Sequence, residues 1–146
     1  MKLFFAGFLL LCGLVCKAQN SNGTLLVYDY EKLDFVAYGF EVFIRSTNGT
    51  EKDVAIEVAS GASYLNKREV EEMIKALEAI LTVNPTKTGK GKRTGVYVLP
   101  NGTRVSISEN NEGYISFQDS KFLPTPISSA GLKKLLEVLK VAVVKL

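Results

Sequence analysis

An α+β fold is what this sequence predicts: a duplicated antiparallel β-meander plus helix, with the two helices packed on one face of the sheet. Three observations carry that expectation. Two stretches have a 3.6-residue apolar period, alternating segments precede each of them, and Asn-Gly dipeptides fall between the alternating segments.

The helices come first. YLNKREVEEMIKALEAIL (64–81) places Val70, Met73, Ile74, Leu77, Ile80 and Leu81 on one face. PISSAGLKKLLEVLKVAV (126–143) does the same with Leu132, Leu135, Leu136, Leu139, Ala142 and Val143. A shift of 62 residues, from 66 to 128, lays Asn66 on Ser128, both residue types that cap a helix N-terminus. The same shift lays Leu65 and Val70 on Ile127 and Leu132, a hydrophobic staple at both sites. Asn66 with Glu69 forms a capping box, whereas Gly131 stands at the matching place in the second copy. Asn84-Pro85 ends the first helix.

The strands alternate. FEVFIRS (40–46) and VAIEVAS (54–60) put Phe40, Val42, Ile44, Val54, Ile56 and Val58 on one face, with a turn at Asn48-Gly49. In the second half VYVL, TRVSIS and YISFQ turn Val105, Ile107, Ile115 and Phe117 inward, with Pro100-Asn101-Gly102 as the first turn. LLVYDY (25–30) adds a strand, and 31–39 follows neither period. One covered face suits an antiparallel sheet. At the level of element order alone, tandem meander–helix units resemble the single-stranded nucleic-acid binders of the Whirly and PUR-repeat type; no family motif accompanies the likeness, and no function is carried across.

Residues 1–18 read as a signal peptide: Lys2, an apolar core from Leu3 to Val15, then Cys16 and Ala18 at −3 and −1 of a cleavage site. Leu11 and Val15 before the two cysteines speak against lipidation. The expected mature chain, 19–146, is a single exported domain, periplasmic or extracellular, with no cysteine, no histidine and no later membrane span. It consists of two units, about 24–83 and 94–146, joined by a basic Gly/Lys linker at 84–93. Charge divides along the same line. Residues 19–83 hold 6 basic and 11 acidic side chains, and residues 84–146 hold 10 and 4. Such asymmetry marks either a polyanion partner or two halves that attract each other within one fold.

Catalysis has few residues to use. Histidine, the commonest general base and metal ligand, is absent, and so is a mature cysteine nucleophile; no cofactor or metal is expected. Glu69 with Glu72 and Glu71 with Glu78 are carboxylate pairs on the polar side of a helix. KTGKGKRTG (87–95) lacks the spacing of a phosphate-binding loop and opens no helix, so it reads as a solvated linker. Its Lys87, Lys90, Lys92 and Arg93 can meet a polyanion as point charges. Asn-Gly-Thr at Asn22, Asn48 and Asn101 serves as turn chemistry or, in a eukaryotic secretory pathway, as glycosylation acceptors.

The sheet face away from the helices is the candidate site. Alternation sends Phe43, Arg45, Glu57, Arg104 and Tyr114 outward, with Tyr97 among them. Aromatic and arginine side chains are the types enriched at binding hot spots. The expected function is a non-catalytic binding module for a protein or polymer ligand. Two other readings stay open: a polyanion or single-stranded nucleic-acid binder, and a small carboxylate-dependent hydrolase. The second helix also carries an extra apolar row, Val138, Val141 and Val144. A two-fold homodimer would cover it, and so would residues 25–39 of the same chain.

Overall fold

In the computed structural model, which describes residues 25–37, 39–59, 61–83, 94–108, 112–117 and 124–146, the chain forms two meander–helix units in succession. The first runs β1 (Tyr28–Ala37), β2 (Phe40–Thr47), β3 (Glu51–Val58), β4 (Gly61–Leu65) and α1 (Lys67–Thr82). The second runs β5 (Gly95–Val98), β6 (Arg104–Ile107), β7 (Glu112–Ser116), β8 (Thr125–Ser128) and α2 (Ser129–Lys145). Each set of four strands is its own antiparallel sheet, paired in sequence order. Residues 1–18, Asn22 and the linker 84–93 with Lys87, Lys90, Lys92 and Arg93 lie outside the described residues.

Local chemistry sets the turns and caps. Asn48 and Gly49 both take positive φ, 50° and 72°, the combination whose twist matches a hairpin between β2 and β3. Gly102 has φ 83°, and its N–H donates to the Leu99 carbonyl at 2.8 Å between β5 and β6. At the start of α1 the Glu69 N–H donates to Asn66 Oδ1 at 3.0 Å, and the Asn66 N–H donates to Glu69 Oε2 at 2.9 Å. The capping box is complete. At α2 the Gly131 N–H donates to Ser128 Oγ at 3.1 Å. Glutamate is missing there for a packing reason. A Cβ on Gly131 would stand 2.7 Å from Ile127 Cγ1 and 3.3 Å from Ala37 Cβ.

The helices touch each other, and each also touches both sheets. α1 meets β3 and β4 of its own unit and β5 and β6 of the other; α2 meets β7 and β8 as well as β1 and β2. One core results, from Phe40, Val42, Ile44, Val54 and Ile56 on one sheet, Val105, Ile107, Ile115 and Phe117 on the other, and the helical stripes. Cross-unit contacts are also polar. Lys134 pairs with Asp34, Lys145 with Glu31, and Lys140 Nζ lies 3.0 Å from Glu78 Oε1. In all three the base belongs to the second unit and the acid to the first, so part of the charge asymmetry is neutralised inside the fold. Asn101 Nδ2 donates to Glu69 Oε1 at 3.1 Å, tying the β5–β6 turn to the cap of α1.

Several boundaries differ from expectation. Residues 64–65 and 126–128 are the ends of β4 and β8 rather than the first turns of helices. Residues 31–37 belong to β1. Its register against β2 shifts between Lys32 and Asp34 and again between Phe35 and Ala37, so Leu33 and Val36 are extra residues that break the alternation. Val138 is buried in the core of its own chain, because α2 packs on β1 as well as on α1; Val141 and Val144 stay exposed. Among the described residues no helix is long and apolar enough to cross a membrane.

Candidate functional site

The register of the first sheet decides which side chains share its outer face. Since Val42, Ile44, Val54 and Ile56 are buried against the helices, their neighbours point away from them. Across the strands this gives a row of Tyr30, Arg45 and Asp53, and beside it a row of Lys32, Phe43, Ala55 and Tyr64. Tyr28 lies opposite Thr47 at one end, and Phe35, Glu41 and Glu57 form the row at the other.

Arg45 organises this face. Its Nε donates to Asp53 Oδ1 at 2.9 Å and its Nη2 to Asp53 Oδ2, a two-pronged pair that fits planar guanidinium to planar carboxylate. The guanidinium carbon lies 3.7 Å from the centre of the Tyr64 ring and 4.9 Å from that of Tyr28, so the cation stands between two ring faces. Tyr30 meets Phe43 edge to face, with ring centres 6.2 Å apart. Lys32 Nζ pairs with Glu41 Oε1 at 2.7 Å and reaches over the Phe43 ring. Hydrogen bonding to Tyr30, then burial, raises the Tyr64 phenol above its ordinary pKa. The pair with Asp53 raises Arg45 further, so it is charged at every accessible pH. Tyr28, Tyr30, Phe35 and Tyr64 nevertheless remain 43–49% exposed. Tyr28, Tyr30 and Tyr64 are held by these contacts, and all four rings are open to solvent.

The five aromatic and arginine residues expected on one open face do not lie together. Phe43 and Arg45 lie on the first sheet, whereas Arg104 and Tyr114 lie on the outer face of the second. Tyr97 is not on an outer face. It stands opposite Val105, whose side chain is fully buried, and packs on the core; Val96 and Val98 are the exposed residues of β5. The expectation missed this because VYVL is symmetric in polarity, so either set could face the core. Tyr28, Tyr30, Phe35 and Tyr64 went unnoticed as site residues, since β1 is bulged and β4 runs straight into the helix cap. Tyrosine spacing of two at 28 and 30 was the available signal.

On the second sheet Val96, Arg104, Ser106, Tyr114, Ser116 and Pro124 line a shallow depression of about 410 Å³. Arg104 has no ion-pair partner among the described residues. The Tyr114 hydroxyl donates to Glu112 Oε2 at 3.0 Å, which raises its pKa. A smaller notch between the units is lined by Asn66, Arg68, Glu69, Glu72, Leu99, Pro100 and Asn101. Its carboxylates are engaged: Glu69 in the cap and with Asn101, Glu72 with Lys75 at 2.9 Å. Among the described residues no group of three or more acidic, histidine or cysteine side chains could hold a metal. No protein-family model, curated protein or solved structure matches the chain.

Proposed function

We propose that this chain is an exported, non-catalytic binding module and that its contact surface is the outer face of the first sheet. One observation carries the reading: Arg45, held by Asp53 and enclosed by Tyr28 and Tyr64, fixes a set of half-exposed aromatic rings on an open sheet. Rings that are ordered before binding lose little conformational entropy when a ligand covers them. Export rests on the sequence of residues 1–18.

The test is equilibrium binding to four immobilised classes of polymer: neutral polysaccharide, sulfated polysaccharide, single-stranded DNA and unfolded polypeptide. The wild type binds at least one of them and leaves it chemically unchanged. Combined Tyr28→Ala and Tyr64→Ala substitution weakens that binding. Equal binding by this variant contradicts the reading.

A polyanion reading would rest instead on the second sheet, where Arg104 is exposed and unpaired among the described residues. It predicts binding that falls steeply with salt. A homodimer through the C-terminal helix would rest on Val141 and Val144, since Val138 is buried. Sedimentation of the wild type and of a Val141→Lys, Val144→Lys variant tests it, because neither substitution disturbs the core.

A further inference from the structure

We infer that the ligand of the first sheet's outer face is an uncharged saccharide chain, an inference that rests on the binding reading above and names its chemistry. Two basic side chains, Lys32 and Arg45, share this face with four acidic ones, Glu41, Glu51, Asp53 and Glu57. Both bases are already held, Lys32 by Glu41 and Arg45 by Asp53. A phosphate or sulfate would therefore find no free cation here and would meet surplus negative charge. Polyanions are disfavoured on this face whatever the second sheet does.

The rings supply the attraction. A sugar ring carries C–H bonds on its two faces and hydroxyls around its rim. The C–H hydrogens are made slightly positive by the neighbouring oxygens, and the face of an aromatic ring is its negative part. Tyr28, Tyr30 and Tyr64 are each nearly half exposed on this face, Arg45 lies over the rings of Tyr28 and Tyr64, and the Tyr30 and Tyr64 hydroxyls are hydrogen-bonded to each other. Glu57, with no ion-pair partner among the described residues, stands one row beyond Tyr64, where its carboxylate can accept from sugar hydroxyls. Exposed rings alternate on this face with hydrogen-bonding side chains, the Arg45–Asp53 pair standing in an inner row, so a ligand here meets ring surface and polar groups together, as a sugar ring with its rim of hydroxyls does. The aromatic residues extend from β1 to β4, three strand spacings or about 14 Å, the reach of a short oligosaccharide rather than one unit. Arg45 is the positioning residue. It touches no ligand in this account but holds Tyr28 and Tyr64 in register.

Affinity electrophoresis of the purified protein tests the inference, in native gels containing dextran, galactomannan, mannan or hydroxyethylcellulose, with heparin and polydeoxythymidine as charged controls. The expected result is retardation by at least one neutral polymer and little change with added salt. Tyr28→Ala with Tyr64→Ala weakens it about tenfold or more, while Tyr28→Phe with Tyr64→Phe retains most of it, because the ring faces remain. Thermal midpoints confirm that both variants are folded; if the alanine variant is not, Tyr28→Leu with Tyr64→Leu, which removes the ring faces but keeps apolar bulk, takes its place with the same expected loss. No retardation by any neutral polymer overturns the saccharide inference. If polypeptide or DNA binds instead and the tyrosine substitutions abolish that binding, the inference fails while the sheet-face reading stands. If the tyrosine substitutions change no binding at all, both fail.

Discussion

Arg45 on β2 and Asp53 on β3 face each other across the first sheet, joined by Nε to Oδ1 at 2.9 Å and by Nη2 to Oδ2. Both side chains are mostly shielded from water, so the pair is worth more than a surface ion pair. Asp53→Ala leaves a shielded guanidinium without its acceptor and is expected to cost about 1–3 kcal/mol. Chemical denaturation measures it. Arg45→Lys is expected to lose much of the same stability, because a point charge neither matches a carboxylate in two places nor stacks on rings. A stability unchanged in both variants means the pair does not order the face.

Two glycines give a prediction of opposite sign to the usual one. Glycine to alanine on a helix normally stabilises by about 1 kcal/mol. At Gly131 the new methyl would stand 2.7 Å from Ile127 Cγ1, so Gly131→Ala is expected to destabilise. Gly113→Ala is expected to cost more, roughly 1–3 kcal/mol, since its Cβ would lie 2.9 Å from the Ile127 carbonyl oxygen as well as 2.6 Å from Leu132 Cδ1. A backbone oxygen cannot rotate away. Thermal midpoints at or above the wild-type value would mean that α2 does not sit on β7 and β8 as described.

Glu69 serves two units at once: Oε2 accepts from the Asn66 N–H and Oε1 from Asn101 Nδ2. A double-mutant cycle with Glu69→Ala and Asn101→Ala should return a coupling of about 0.5–1.5 kcal/mol. Asn66→Ala alone should cost about 1 kcal/mol through the cap. Full additivity of Glu69→Ala and Asn101→Ala would show that the inter-unit bond carries no weight.

Much of this was legible before the structure. The helix stripes, both N-caps and the inward set of β2, β3, β6 and β7 follow from periodicity and cap chemistry, which are local and repeat in the sequence. β1 resisted because two bulges shift its period and because Glu31 and Asp34 point to the helix side, where Lys145 and Lys134 receive them. A sequence cannot show that an edge strand will meet a lysine-bearing helix a hundred residues later. Nor could it divide the strands between two sheets, and so it placed Arg45 with Arg104 on one face. The clamp around Arg45 joins residues 28, 45, 53 and 64, and only pairing register brings them together.

The ion pairs between β1 and α2 give an acid-side prediction. Hydrogen bonding and charge from Lys145 hold Glu31 below its ordinary pKa, and a hydrogen bond from Lys134 does the same for Asp34. The folded state then binds protons less readily than the unfolded chain. The stabilisation is present above the unfolded carboxylate range, near about pH 4, and is lost as pH falls through the lower folded values. The difference in thermal midpoint between wild type and a Lys134→Met, Lys145→Met variant should therefore shrink between neutral pH and about pH 3. Both groups are solvent-exposed, so added salt should shrink it as well. A difference that is the same at every pH would contradict the assignment.

The most direct measurement compares two sets of substitutions against whichever polymer the wild type binds tightest. Tyr28→Ala with Tyr64→Ala strips ring faces from the first sheet, and Arg104→Ser with Tyr114→Phe alters the second sheet without touching the first. The dissociation constant is expected to rise about tenfold or more in the first variant, in keeping with about 1–3 kcal/mol for a lost stacking ring, and to stay at the wild-type value in the second. A dissociation constant that rises in the second variant and not in the first would contradict the account, and would move the binding surface to the sheet of Arg104.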